Sequence, residues 1–227
     1  MAKKSFMVLV LAVVIVVGAY ALPEFKFGMG LGGYLMGEMG GGVEASSGNQ
    51  SYSIVYNNFG GGGIAFLDLT FVELSLGYFK TLVFSIRENS NGSFTGNSTD
   101  LSSDGLDIGV FLKYPFAINR KLLLFPLLGG NYRYMLSVQD EDGRKVDGIG
   151  DFSAIWFKLG GGLDISFTTN IYLRGEILYG LRLSNEFESN LIDDMRKPGS
   201  EFSNPNIDIK PTLGHGPQIK IAIGFKI

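Results

Sequence analysis

Large apolar residues recur at every second position through much of this chain. In "QIKIAIGFKI" at the end of the sequence, Ile219, Ile221, Ile223, Phe225 and Ile227 share one parity, against Gln218, Lys220, Ala222, Gly224 and Lys226. "IYLRGEILYGLRL" sets Ile171, Leu173, Ile177, Tyr179, Leu181 and Leu183 against Tyr172, Arg174, Glu176 and Arg182. Period-two alternation is the mark of a β-strand with two different faces. It predicts eight strands, at 24–36, 60–68, 71–86, 105–115, 121–136, 152–167, 171–184 and 213–227. The second and fifth alternate less cleanly, and Pro126 in the fifth has no N–H to give a ladder.

The spacers carry the topology. Segments 37–59, 87–104, 137–151 and 185–212 are long, polar and rich in Gly, Ser, Asn and Asp. The other three connections are short: "LT" near Leu69, "FAINRK" after Pro115, and "TTN" at 168–170. Long and short connections alternate throughout, which is the layout of an up-and-down barrel with loops at one end and tight turns at the other. The fold class expected is therefore all-β, an eight-stranded antiparallel up-and-down transmembrane barrel with four long extracellular loops.

Which parity faces inward follows from volume. Eight strands closed around several dozen large aliphatic side chains would have no room for them. Closed the other way, glycines and charges fill the interior and the aliphatic set meets lipid. Tilted strands of about 9–11 residues cross an apolar band of about 25 Å. In the third strand the apolar parity runs from Val72 to Tyr78 and then meets Lys80, where the band should end. Tyr114, Phe116, Phe167 and Phe225 near the short turns, and Tyr78, Tyr132, Tyr134 and Tyr179 toward the loops, read as interfacial girdles.

The inward parity then carries Lys26, Glu73, Asp107, Lys113, Arg133, Lys158, Asp164, Arg174, Glu176, Arg182 and Lys220. Charges held in a narrow lumen must be paired or hydrated. The set reads as a network that plugs the barrel. Four acids against seven bases, with the inward glycines, leave a narrow and mildly anion-favouring water path as the second reading. A three-residue turn centred on Thr169 sets Arg174 opposite Asp164 and predicts that the two bridge in the lumen.

The first residues stand apart. "MAKK", the apolar run from Phe6 to Val17, and Ala19 and Ala21 in an A-x-A pattern read as a secretory signal peptide cleaved before Leu22. The domain division expected is 1–21 signal peptide and 22–227 barrel. Without Lys3 and Lys4, 17 basic residues face 22 acidic ones, which argues against nucleic acid as a partner. There is no cysteine, so an exported chain of this kind has no disulfide to support it. Mean hydropathy is +0.20, although no later segment is long enough for a spanning helix. Thirty-three glycines in 227 residues fit many short strands packed closely.

Catalytic and cofactor chemistry is thin. "GMGLGG" at 28–33 matches the dinucleotide pattern G-x-G-x-x-G, but it lies inside the first strand and no helix follows to aim amides at a pyrophosphate. Three of its glycines share the inward parity and make space for opposing side chains. His215 is the only histidine, and one histidine without cysteine gives no metal-site spacing. The acids at Asp140–Asp142 and Asp193–Asp194 read as solvated loop charge. No cofactor is expected.

The architecture resembles the small eight-stranded bacterial outer-membrane barrels, such as the OmpA transmembrane domain, OmpX and OmpW. "FLDLTFVELSLGYF" and "KYPF…LFPLLGGNY" are similar to outer-membrane proteins of spirochaetes. The resemblance implies both termini in the periplasm, the long loops outside, outer-membrane lipid and the barrel assembly machinery as partners, and a loop partner it does not identify. The assembly signal of such barrels ends in an aromatic residue; here Ile227 is last and Phe225 precedes it by two, so these two are the candidate signal. The function implied is non-enzymatic, structural or interacting through the loops. The alternatives are a porin-like channel or OmpW-like transporter for small or apolar solutes, and a lipid A-modifying enzyme. "HGP" at His215 lacks the hydroxyl two residues on that lipid A deacylases of this build carry.

Overall fold

Strand alternation builds a ladder that closes on itself. The computed structural model describes residues 27–47, 50–90, 93–140, 142–145, 153–197 and 207–227. Eight long strands form the wall: β1 (Gly28–Ser47), β2 (Gln50–Asp68), β3 (Val72–Ser90), β4 (Ser93–Lys113), β6 (Leu122–Gln139), β7 (Ala154–Ser166), β8 (Ile171–Asn185) and β10 (His215–Lys226). Each pairs antiparallel with the next, and β10 pairs with β1 from Gly28↔Lys226 to Met39↔His215. The expected eight-stranded up-and-down barrel is present. Two short strands, β5 (Phe116–Ala117) and β9 (Asp208–Thr212), and one helix, α1 (Glu186–Met195), are additions to it.

The ladder also fixes the barrel's width. From Phe71, pairings run through Lys113, Leu127, Leu178 and Met36 and return to β3 at Thr81, ten residues along. A stagger of this size over eight strands tilts them by about 40° and leaves an interior that side chains can fill.

The faces divide by parity. Leu31, Leu76, Leu112, Leu159, Ile177 and Ile221 all point outward and are more than half exposed. Pro126 also lies on the exposed face, opposite Gly161. Phe225 and Ile227 project outward at the end of the ladder. Inside, Gly30 and Gly32 admit the ring of Phe66 and the backbone of Ala222, positions where a Cβ would collide.

Each short turn is tied by a side-chain acceptor. Asp68 Oδ1 accepts from Thr70 N at 3.0 Å, where Thr70 sits at φ 69°. Asn119 Oδ1 accepts from Lys121 and Leu122 N at 2.8 and 2.9 Å, and Thr168 Oγ1 from Ile171 N at 3.0 Å.

The long connections differ from the expectation. Segments 37–59 and 87–104, expected as loops, are mostly strand: β1 and β2 pair out to Ser47↔Gln50, and β3 and β4 out to Ser90↔Ser93. Beyond the apolar band both faces of a strand meet water, so the hydrophobic alternation fades while the backbone ladder continues. Segment 185–212 contains α1 and β9, and β9 extends the sheet on β1 through Gly42↔Thr212 to Ser46↔Asp208. Val43, Ala45, Ile209 and Met195 bury themselves together there, with Tyr52, Ile192 and Ile207 packed alongside.

Candidate functional site

The chemistry of this chain is concentrated in its lumen. Inward parity brings together side chains from all eight wall strands, and they sort into three levels.

Nearest the short turns, Arg174 on β8 is the centre. Its Nε and Nη2 bind Asp164 Oδ1 and Oδ2 on β7, both at 2.8 Å, a forked contact that the register Asp164↔Arg174 sets up. Its Nη1 reaches Glu73 Oε2 on β3 at 2.7 Å, and Nη2 also touches Asp68 at the end of β2. Asp68 binds Lys113 as well, so one carboxylate holds both the Thr70 turn and the floor of the lumen. Lys220 on β10 lies 3.0 Å from Glu176 Oε2 and 3.4 Å from Glu73 Oε1. Rings pack around these cations: Phe66 and Phe125 lie 4.6 and 5.0 Å from the Arg174 guanidinium, and Phe111 lies 4.6 Å from Lys220 Nζ.

The middle level is sparser. Asn131 Nδ2 donates to Asp107 Oδ1 at 2.7 Å, and Lys158 Nζ donates to Gln218 Oε1 at 2.5 Å with Asp107 Oδ2 at 3.9 Å.

Toward the hairpins, Glu38 on β1 takes Arg182 Nη1 at 2.8 Å and Arg133 Nη1 at 3.3 Å. Arg133 lies over Trp156 and Arg182 over Tyr56, at 4.8 and 4.5 Å. Tyr34, Met36, Ile64, Phe79 and Met135 form an apolar cluster in the same half.

Ten of the eleven charges assigned to the lumen from sequence are buried here: Glu73, Asp107, Lys113, Arg133, Lys158, Asp164, Arg174, Glu176, Arg182 and Lys220. Lys26, and the cleavage-site residues Ala19, Ala21 and Leu22, lie outside the described residues. The count of four acids against seven bases needs correction, because Glu38 and Asp68 also face inward. Glu38, Asp68, Glu73, Asp107, Asp164 and Glu176 meet Lys113, Arg133, Lys158, Arg174, Arg182 and Lys220, six against six, and Lys226 at the end of β10 adds a seventh base over the Tyr172 ring. Among the described residues the excess of positive charge behind the anion-favouring path therefore shrinks to one, Lys226, which donates to Ser166 Oγ at 3.0 Å at the short-turn end. Both missed acids were legible in principle. Glu38 continues the inward series Tyr34 and Met36, and Asp68 continues Ile64 and Phe66.

His215 is on the outer wall instead, its Nδ1 2.6 Å from Tyr179 Oη and the two rings stacked. No described group of three His, Cys, Asp or Glu side chains could hold a metal ion.

No family model matches this sequence, and no curated protein does. Among solved structures the chain is similar to Neisserial surface protein A, at 13% identity over 86% of this chain and 97% of that one, TM-score 0.39. It is similar to the outer membrane protein OprG of Pseudomonas aeruginosa, at 9% identity over 89% and 96%, TM-score 0.42. The outer membrane protease OmpT of Escherichia coli aligns at 10% identity over 92% and 99%, TM-score 0.44. The barrel itself rests on its own strand pairing.

Proposed function

We propose that this chain is a small integral outer-membrane barrel, exported by its signal segment 1–21, folded from 22–227 by the barrel assembly machinery, and non-enzymatic. Its lumen is a core of paired charges and not a conduit. Its working surface is the pair of polar hairpins that continue β1–β2 and β3–β4 beyond the apolar band. The observation that carries this reading is the near balance of lumen charges, six acids against seven bases among the described residues, bridged from opposite walls by Arg174 and packed with rings. Charges paired with opposite charges at this range are compensated without water, whereas a water path needs charges left to hydrate.

Planar-bilayer recording of the refolded mature chain tests it. The expected trace shows no unitary openings; regular openings would favour the narrow-channel alternative. Incubation with lipid A and mass spectrometry of the recovered lipid tests the non-enzymatic half, which a shortened or altered acyl pattern would overturn.

A further inference from the structure

The outward face of this barrel is interrupted where glycine replaces the large apolar residues. One such place, of about 620 Å³ at Gly161 and Gly175, is bordered by apolar residues on that face, while another has charges at its edge. Between the side chains of β10 and β3 runs an open groove of about 650 Å³, walled by Leu35, Ile219 and Ile221 on one side and Leu82 on the other. Its floor is Gly33 and Gly61, with Gly63 beside them, where neighbouring outward positions carry Leu31, Leu35, Leu76 and Tyr78. The barrel's own packing does not demand glycine at two of these sites. A Cβ on Gly33 would meet nothing nearer than Gly62 O at 3.5 Å, and one on Gly63 nothing nearer than Gly32 O at 3.9 Å. The inward glycines are different, since Gly60 and Gly62 abut the backbone of β3. Space has been left on the lipid side that the protein does not use.

A pair of opposite charges stands at the top of this groove. Lys80 lines it and is exposed, and Asp104 is its register partner on β4, on the same outward parity. Among the described residues of the outer wall between the short turns and the hairpins, these two are the acidic and basic side chains. Asp104 is half-buried and accepts from the Ser137 hydroxyl through Oδ1. The stagger of the strands lifts each neighbour by little more than one residue. It therefore sets Lys80 level with Phe59, Tyr134 and His215, in the ring of the interface, and Asp104 slightly farther out. From Lys80 the floor descends through Gly61 and Gly63 to Gly33, into the apolar band.

We propose that this groove holds one glycerophospholipid with an ethanolamine headgroup: an acyl chain on the glycine floor, the phosphate at Lys80 and the ammonium at Asp104. The inference rests on the membrane reading above. Register partners across an antiparallel pair hold their side chains about 5 Å apart, close to the phosphate-to-ammonium spacing of that headgroup. An anionic glycerol headgroup would satisfy Lys80 but place no cation at Asp104.

Native mass spectrometry of the mature barrel released from nanodiscs of equal phosphatidylethanolamine and phosphatidylglycerol reads this directly. One ethanolamine lipid should stay bound, with a preference of about fivefold, the scale one exposed charge pair supplies. Gly33→Leu should abolish retention, and Asp104→Asn should remove the preference while keeping a bound lipid. Equal retention of the two lipids, or retention unchanged by both Gly33→Leu and Lys80→Gln, overturns the proposal while a barrel that still inserts leaves the membrane reading intact. A dimer closed by Gly33→Cys cross-linking in the same nanodiscs would overturn it too, because the groove would then belong to a second copy. Failure to insert into any bilayer would instead remove the membrane reading.

Discussion

Arg174 on β8 donates to Glu73 on β3 at 2.7 Å across the full width of the lumen, from a position 101 residues later in the chain. Both residues are 1% exposed. The contact can form only when the barrel has closed, because β3 and β8 lie on opposite walls of the ring. It ties the fold together from the inside, in the place an apolar core would occupy in a water-soluble protein.

Removing that tie should be costly. Arg174→Ala leaves the carboxylates of Asp164, Glu73 and Asp68 facing one another without their shared cation. The expected loss is about 3–5 kcal/mol, measured by reversible urea unfolding in lipid vesicles. Arg174→Lys should recover only part of it, because an ammonium cannot make the forked contact with Asp164. A change below about 1 kcal/mol for Arg174→Ala would mean that the network contributes little to stability.

The lipid-facing assignment makes a depth-dependent prediction. Leu76 lies on the outer face midway along the apolar stretch of β3 from Val72 to Lys80, and Leu82 lies on the same face three outward positions nearer the hairpins. Leu76→Arg should cost about 2–4 kcal/mol and Leu82→Arg about 0–1 kcal/mol, by the same unfolding assay. Equal cost at both sites would remove the membrane boundary from where it is drawn here.

The single tryptophan offers an optical test of the faces. Trp156 is buried in the lumen beneath Arg133, whereas Leu159, three residues on, is exposed on the outer wall. Brominated acyl chains should quench Trp156 weakly. They should quench strongly in a Trp156→Phe, Leu159→Trp variant. Strong quenching of the native residue would invert the parity of β7.

Above the band, the cluster of Val43, Ala45, Met195 and Ile209 is the contact that docks α1. Val43→Asp places an unpaired charge inside it, and burial of such a charge is disfavoured strongly enough to release the helix. Limited proteolysis of the segment carrying α1 should accelerate at least about tenfold, while the unfolding midpoint of the barrel in urea stays within error. An unchanged cleavage rate would show that α1 is held by something else.

How far the sequence could be read depended on the distance over which each feature acts. Strand existence and facing are local, because alternate residues of one strand see opposite surroundings, and β3, β7, β8 and β10 all follow their alternation. The register Asp164↔Arg174 was also within reach, since a short turn links two adjacent strands. Strand ends were harder. β1 runs to Ser47 and β4 starts at Ser93 through Gly-, Ser- and Asn-rich stretches whose polarity is the same on both faces, so no period marks them. Glu38 and Asp68 were within reach of the alternation but sit at or just past the ends of the strands expected at 24–36 and 60–68, where the inward series was cut short.

The sequence by itself determined that this chain alternates with period two, that its large aliphatic parity is too bulky for the inside of eight strands, and that its charges therefore face one another. Only the closed tertiary structure decided which charges meet. The ten-residue stagger brings Glu73 and Asp68 under Arg174, and sets Lys80 beside Asp104 above an empty strip of glycine. Alternation along one strand is written in neighbouring residues, but a meeting across the barrel depends on the sum of seven registers and the closure that joins the last strand to the first.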